Sequence, residues 1–163
     1  MNSEAGISAA EGWWLFVHSF GRDMAVEAEK VQRVELFPGP SNILVLPRRH
    51  NGCGTAVVLN GRPVMMVDTA LLMGGRKNDG ADNSDPSLCV LLKHNGWELA
   101  LPAKEVAGPY GLSIIKDHES DKLISGLGVI ENRQVEILDV EVLVKTIGYR
   151  LRQGSQKKSS ENG

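Results

Sequence analysis

The most constraining feature of this chain is that it says almost the same thing twice. Residues 58–73 read VLNGRPVMMVDTALLM, and residues 129–144 read VIENRQVEILDVEVLV. At an offset of 71, Val58/Val129, Arg62/Arg133, Val64/Val135, Asp68/Asp139 and Leu72/Leu143 are identical. Asn60-Gly61 between apolar segments is a strong hairpin signal, because both central residues of a type I′ turn need positive φ. Asn132, opposite Gly61, is another residue that tolerates left-handed φ. After each strand an aspartate, Asp68 or Asp139, precedes an apolar run. A carboxylate there accepts from the unpaired N–H groups of a first helical turn, so both are read as structural helix N-caps. Gly74-Gly75 then ends the first helix.

A second pair of segments repeats as well. Residues 88–106 (LCVLLKHNGWELALPAKEV) align with 13–31 at an offset of 75, with Gly21/Gly96, Ala25/Ala100, Ala28/Ala103 and Val31/Val106 identical. Leu15/Val90, Phe16/Leu91, Val17/Leu92, Met24/Leu99 and Val26/Leu101 match apolar with apolar. Residues 13–20 (WWLFVHSF) form a near-continuous apolar run, which predicts a strand buried in part on both faces. A turn at Gly21-Arg22-Asp23, a strand over Met24-Ala25-Val26, a helical turn over 28–31 and a strand over 34–37 follow. Taken alone, 23–32 also fits one amphipathic helix; its second copy, with Gly96 and Pro102, favours strand-then-turn. Pro102 suits the first position of a helix, where its missing N–H would be unbonded anyway.

The order is thus a-b-a′-b′, two weakly similar halves over about 13–73 and 88–147. Closely spaced short strands favour small barrels over an open parallel sheet. Residues 74–87 (GGRKNDGADNSDPS) and 38–54 read as loops, and 1–12 and 148–163 as flexible ends. The length of 163 residues suits one compact domain, or two small barrels sharing a core.

Composition excludes several classes. With 18 Lys+Arg against 20 Asp+Glu, the net charge is −2, and no basic stripe marks a nucleic-acid binder. No apolar run approaches the ~18 residues of a membrane span, so no direct membrane insertion is expected. The first residues lack the basic and apolar regions of a signal peptide, which points to a cytoplasmic protein. Cys53 and Cys89 read as reduced thiols. His18, His50, His94 and His118 are dispersed without metal-ligand spacing, so neither metal nor cofactor is expected. Asp68 and Asp139 are better read as caps than as a catalytic carboxylate pair, and no phosphate loop is present. One enzymatic alternative stands: Cys53, in a Gly-rich loop near His50, as the nucleophile of a small thiol hydrolase.

Four stretches then resemble a known family. Residues 20–34 (FGRDMAVEAEKVQRV), 46–61 (LPRRHNGCGTAVVLNG), 62–72 (RPVMMVDTALL) and 123–143 (LISGLGVIENRQVEILDVEVL) are similar to the CheW-like coupling domain of bacterial chemotaxis systems, over about residues 13–147. Ser125-Gly126-Leu127-Gly128 with Asp139 carries the resemblance furthest, and Gly126 is read as structural. The resemblance implies a mainly β fold: two five-stranded SH3-like barrels related by a pseudo-two-fold axis, with short helices. It also implies a non-catalytic adaptor bridging the cytoplasmic tip of a methyl-accepting chemoreceptor to the regulatory domain of a CheA-type histidine kinase.

The departures from the family pattern fall on the coupling residues. The arginine of the family's "NLRG" falls on Asn60 and its asparagine on Val58; Gly61 is kept and Arg62 follows. A divergent adaptor of a type IV pilus-linked or other non-flagellar chemosensory system fits as well as an ordinary one. The candidate partner-binding residues are Val31, Val34, Glu35, Asn60, Gly61, Arg62, Trp97 and Val106. Outward members of Val34, Leu36 and Phe37 would make an apolar docking edge. Trp97, opposite Arg22 in the repeat, would make an exposed anchor. A peptide-binding module outside chemotaxis is a third reading, because fold does not imply function.

Overall fold

The structure is a computed structural model that describes residues 8–45, 55–67, 86–117 and 122–148. Asp68, His50, Cys53, His118, the first predicted helix and the tail from 149 lie outside the described residues.

Among the described residues, thirteen strands form two sheets. In chain order they are β1 (Ser8–Ala9), β2 (Trp14–Ser19), β3 (Arg22–Glu27), β4 (Val31–Leu36), β5 (Ile43–Val45), β6 (Thr55–Leu59), β7 (Arg62–Met66), β8 (Leu88–His94), β9 (Trp97–Ala103), β10 (Glu105–Tyr110), β11 (Ser113–Asp117), β12 (Ile124–Ile130) and β13 (Arg133–Leu138). A helix, α1, covers 140–148. Asp139 caps it: its Oδ1 accepts from the Val142 N–H at 3.1 Å.

Four hairpins set the plan, and each turns on two residues of positive φ. These are Phe20-Gly21 (53°, 76°), Asn60-Gly61 (52°, 76°), Asn95-Gly96 (49°, 81°) and Glu131-Asn132 (47°, 65°). Such turns twist with the strands they join, which is why two-residue loops adopt them. The first turn therefore sits one residue before the predicted Gly21-Arg22-Asp23, and Arg22 and Asp23 already belong to β3.

The sheet orders are β1-β11-β12-β13-β3-β2-β10 and β4-β8-β9-β7-β6-β5. Neither sheet belongs to one half of the sequence. The β2–β3 hairpin of the first half lies in a sheet with β10 to β13 of the second. The β8–β9 hairpin of the second half lies with β4 to β7 of the first. The halves are joined by antiparallel pairs at β1–β11, β2–β10 and β4–β8 and by two parallel pairs, Met24 and Ala25 of β3 against Glu136 and Ile137 of β13, and Leu99 and Ala100 of β9 against Met65 and Met66 of β7. The sequence divides between 73 and 88; the hydrogen-bonded sheets divide the chain differently.

Burial follows from this exchange. Side chains alternate across a strand, so a strand apolar at every position must be covered on both faces. In β2, Trp14 and Phe16 enter one core with Ala25, Ile130, Val135 and Ile137. In β8, Cys89 and Leu91 enter a second core with Leu59, Val64 and Ala100. The opposite faces meet between the sheets, where Val17, Met24 and Val26 pack against Val90, Leu92, Leu99 and Leu101. Val140, Leu143, Val144 and Ile147 of α1 close that shared core. The five apolar pairs from Leu15/Val90 to Val26/Leu101 occupy corresponding places in these cores.

Three expectations are corrected. Pro102 begins no helix: it lies in β9 opposite Cys89, beyond the last β7 partner, where no ladder bond needs its nitrogen. The 3-10 turn at Ala28–Lys30 thus has no counterpart in the second half. Part of the presumed loop 38–54 is β5, whose run Ile43-Leu44-Val45 pairs with Val57, Ala56 and Thr55. The presumed flexible start contains β1, bonded to β11 and followed by Ala10 N–H donating to Leu112 C=O at 2.9 Å. Gly126 sits at a bulge between β12 and β13, and at Gly128 a Cβ would come within 2.7 Å of Leu112 and of the Ser113 carbonyl.

Candidate partner-binding surface

Residues directly opposite each other in an antiparallel pair point to the same face. Val31, Val34 and Leu36 of β4 stand opposite Leu92, Val90 and Leu88 of β8, so they extend the face that forms the shared core. Val31 still packs against that core, whereas Val34 is 39% and Leu36 79% exposed. β4 ends the hydrogen-bonded order of its sheet, so nothing in that sheet covers the strip. Phe37 instead turns inward against the core of the β4–β9 sheet. Val106 is the equivalent of Val31 on β10, the end strand of the other sheet. It stands opposite Val17 and packs against the same shared core. Val31 and Val106 thus lie at the edge of the shared core, and Val34 and Leu36 continue the Val31 face outward along β4.

A second group forms around the β6–β7 turn. The Asn60 amide donates to Glu35 Oε1 at 3.2 Å, and Arg33 Nε donates to the same oxygen at 2.6 Å. β4 and β6–β7 are separated by β8 and β9 in the sheet order, so this contact brings the sheet round on itself. Arg62, 59% exposed, donates through Nη2 to both carboxylate oxygens of Glu98, at 2.6 and 2.5 Å. Glu98 follows Trp97, which is 39% exposed beside the Asn95-Gly96 turn. Glu35 and Asn60 therefore meet, while Arg62 and Trp97 are tied to β9. Among the predicted residues, Val106 alone belongs to the other sheet.

Sequence reasoning missed Glu98. The signal was present: Glu98 and Asp23 are acids at matching positions of the repeat, each facing the arginine of the other half. Arg133 Nη2 lies 3.9 Å from Asp23 and its Nη1 donates to Glu105 at 3.2 Å, with the guanidinium 4.1 Å from the centre of the Phe16 ring. Trp13, 64% exposed, was also missed. It borders a cleft of about 360 Å³ with Glu11, Glu27 and Glu29. Burial raises the Glu27 carboxyl above the usual carboxylate range; Lys30 opposes the shift, and Glu29 and Asp139 add to it.

Cys89 is fully buried, and burial, with Glu35 adding, pushes its thiol up to about 11. It is thus protonated and inert at neutral pH. Among the described residues no group of three or more His, Cys, Asp or Glu could hold a metal ion, and no helix is long and apolar enough to cross a membrane.

No family model matches the chain, and no curated protein matches it. Among solved structures it is similar to the scaffolding protein TtCheW from Thermoanaerobacter tengcongensis. The identity is 12% and the TM-score 0.58, with 78% of this chain and 88% of that one covered. The fold is therefore mainly β and CheW-like, two sheets built on one duplicated plan.

Proposed function

We propose that this chain is a non-catalytic adaptor of a bacterial chemosensory pathway, holding a CheA-type histidine kinase and a chemoreceptor together in the cytoplasm. The observation that carries this reading is the exposed apolar pair Val34 and Leu36 on an end strand, continuous through Val31 with the edge of the shared core, in a CheW-like fold. A helix from a receptor tip laid along that strip would cover Val31, Val34 and Leu36. The kinase's regulatory domain would meet the β6–β7 turn and Trp97. Such contacts are individually modest and gain from arrays.

Asn60 favours a divergent pathway, such as a pilus-linked one. It bonds to Glu35 of its own chain where the family pattern has an arginine. Arg62 remains the cation of this surface.

Titration of the full chain with the cognate kinase regulatory domain and with a receptor-tip fragment tests the reading. Binding by the wild type is expected, with Leu36→Asp weakening the receptor interaction at least about fivefold and leaving the fold intact, since an exposed strand position tolerates change. Arg62→Ala is expected to weaken one partner without loss of stability. Failure of the wild type to bind either partner at high micromolar concentration overturns the proposal.

A further inference from the structure

We infer that the second half of one copy of this chain can complete the first half of another, so that a second copy, joined by exchange of halves, is a partner this fold is built to take. The inference rests on the sheet topology and stands apart from the adaptor reading.

Neither half closes a core alone. The pairs β1–β11, β2–β10, β3–β13, β4–β8 and β7–β9 all join one half to the other. The shared core draws Val17, Met24, Val26 and Val67 from the first half and its remaining members from the second. The buried Ser19 hydroxyl donates across the halves to the Pro102 carbonyl, and Lys104 N–H donates to His18 C=O at 2.8 Å. All these contacts are the same whether the two halves come from one chain or from two. Only the connection over 68–86 distinguishes the cases.

The described ends of that connection fix its minimum span. Val67 N–H donates to Ala100 C=O on the β7 side of β9, and Ser87 N–H donates to Ala103 C=O on the β8 side. Three residues along a strand and two strand spacings across it separate the ends by about 14 Å. Residues 68–86 reach several times that distance when extended, at about 3.3 Å per residue. The single chain therefore closes on itself easily. Exchange costs mainly the effective concentration of a tethered half, on the order of millimolar for short tethers. The swapped dimer would also display two copies of the Val34–Leu36 strip.

Deleting residues 69–86 leaves two Cα steps between Val67 and Ser87, about 7.6 Å, too short to close within one chain. The deletion variant is expected to be a dimer by native mass spectrometry, with the strand signal of the wild type. A folded monomer overturns the inference. The intact chain supplies a second measurement that does not depend on the deletion variant folding. A specific protease site is inserted between residues 74 and 85, and the protein is refolded at about 1 mM, the tethered effective concentration. A dimer is expected that persists on dilution and, once both connections are cut, falls to monomer-sized particles, each holding one first and one second half. A dimer that keeps its size after cutting is a side-by-side dimer and overturns the inference, as does the absence of any dimer.

Discussion

Arg62 and Arg133 open the same strand in two copies of one plan, and they live differently. Among the described residues Arg62 is tied to Glu98 alone, through one nitrogen. Arg133 is shared between Glu105 and Asp23 and lies against the Phe16 ring. The backbone and the facing acid are common to both; the neighbours differ. The counterpart of Phe16 is Leu91, which offers no π face. The counterpart of Glu105 is Lys30, which would repel Arg62 and instead donates to His94 Nδ1 at 3.0 Å. A duplicated fold thus keeps its frame while single substitutions decide which cation is used internally and which keeps capacity for a partner.

The largest effects test whether the two copies are equivalent where they should be. Met24 and Leu99 are matched, fully buried members of the shared core. Met24→Ala and Leu99→Ala are each expected to cost about 2–5 kcal/mol, similar to one another, in urea unfolding. A cost at one site far below the other would show that one sheet alone carries the core. Next, Arg133→Ala is expected to destabilise by about 1–2 kcal/mol, from lost ring stacking and two partly exposed acids. Arg62→Ala should cost less than about 1 kcal/mol, the range of a single exposed pair. Equal values would erase the contrast.

The turns sharpen the comparison at smaller scale. Gly61 has φ +76° and open space around it, so Gly61→Ala meets backbone strain without a clash, about 1 kcal/mol. Asn132 holds the matching place at φ 65°, and Asn132→Gly should change stability by only a few tenths of a kcal/mol. Thermal unfolding of both variants reads this directly.

The smallest effect concerns Glu27, whose neutral counterpart in the repeat is Pro102. Its carboxyl is raised by burial, so the folded state favours the protonated form. That contribution is present at low pH and is lost as pH rises through the folded-state pKa. Ionised Glu27 is therefore a liability at pH 7. Glu27→Gln should raise stability there by a few tenths of a kcal/mol, given its partial exposure, and the gain should vanish below the ordinary glutamate range. A constant difference across pH would assign the effect to something other than charge.

Much of this was legible in the residues. Asn60-Gly61 and Asn95-Gly96 announce their hairpins because the demand for positive φ is local. The apolar matches at both offsets announce which positions are buried because strand periodicity is local too. Glu35 as the partner of Asn60 was not legible, since the two meet only when the sheet curls, and Glu98 was legible only as an acid matched in the repeat, because its meeting with Arg62 needs the parallel β7–β9 pairing. β1 and β5 escaped notice because such short strands exist by virtue of their neighbours, β11 and β6.

The chain's own sequence determined the duplication, the two-residue turns and the need of β2 and β8 for cover on both faces. Only the tertiary structure decided who supplies that cover. A run such as WLFV states that two surfaces must leave water, and the hydrophobic effect is non-directional, so it names no partner. The parallel joins β3–β13 and β7–β9 settle the matter by giving each hairpin to the sheet of the opposite half.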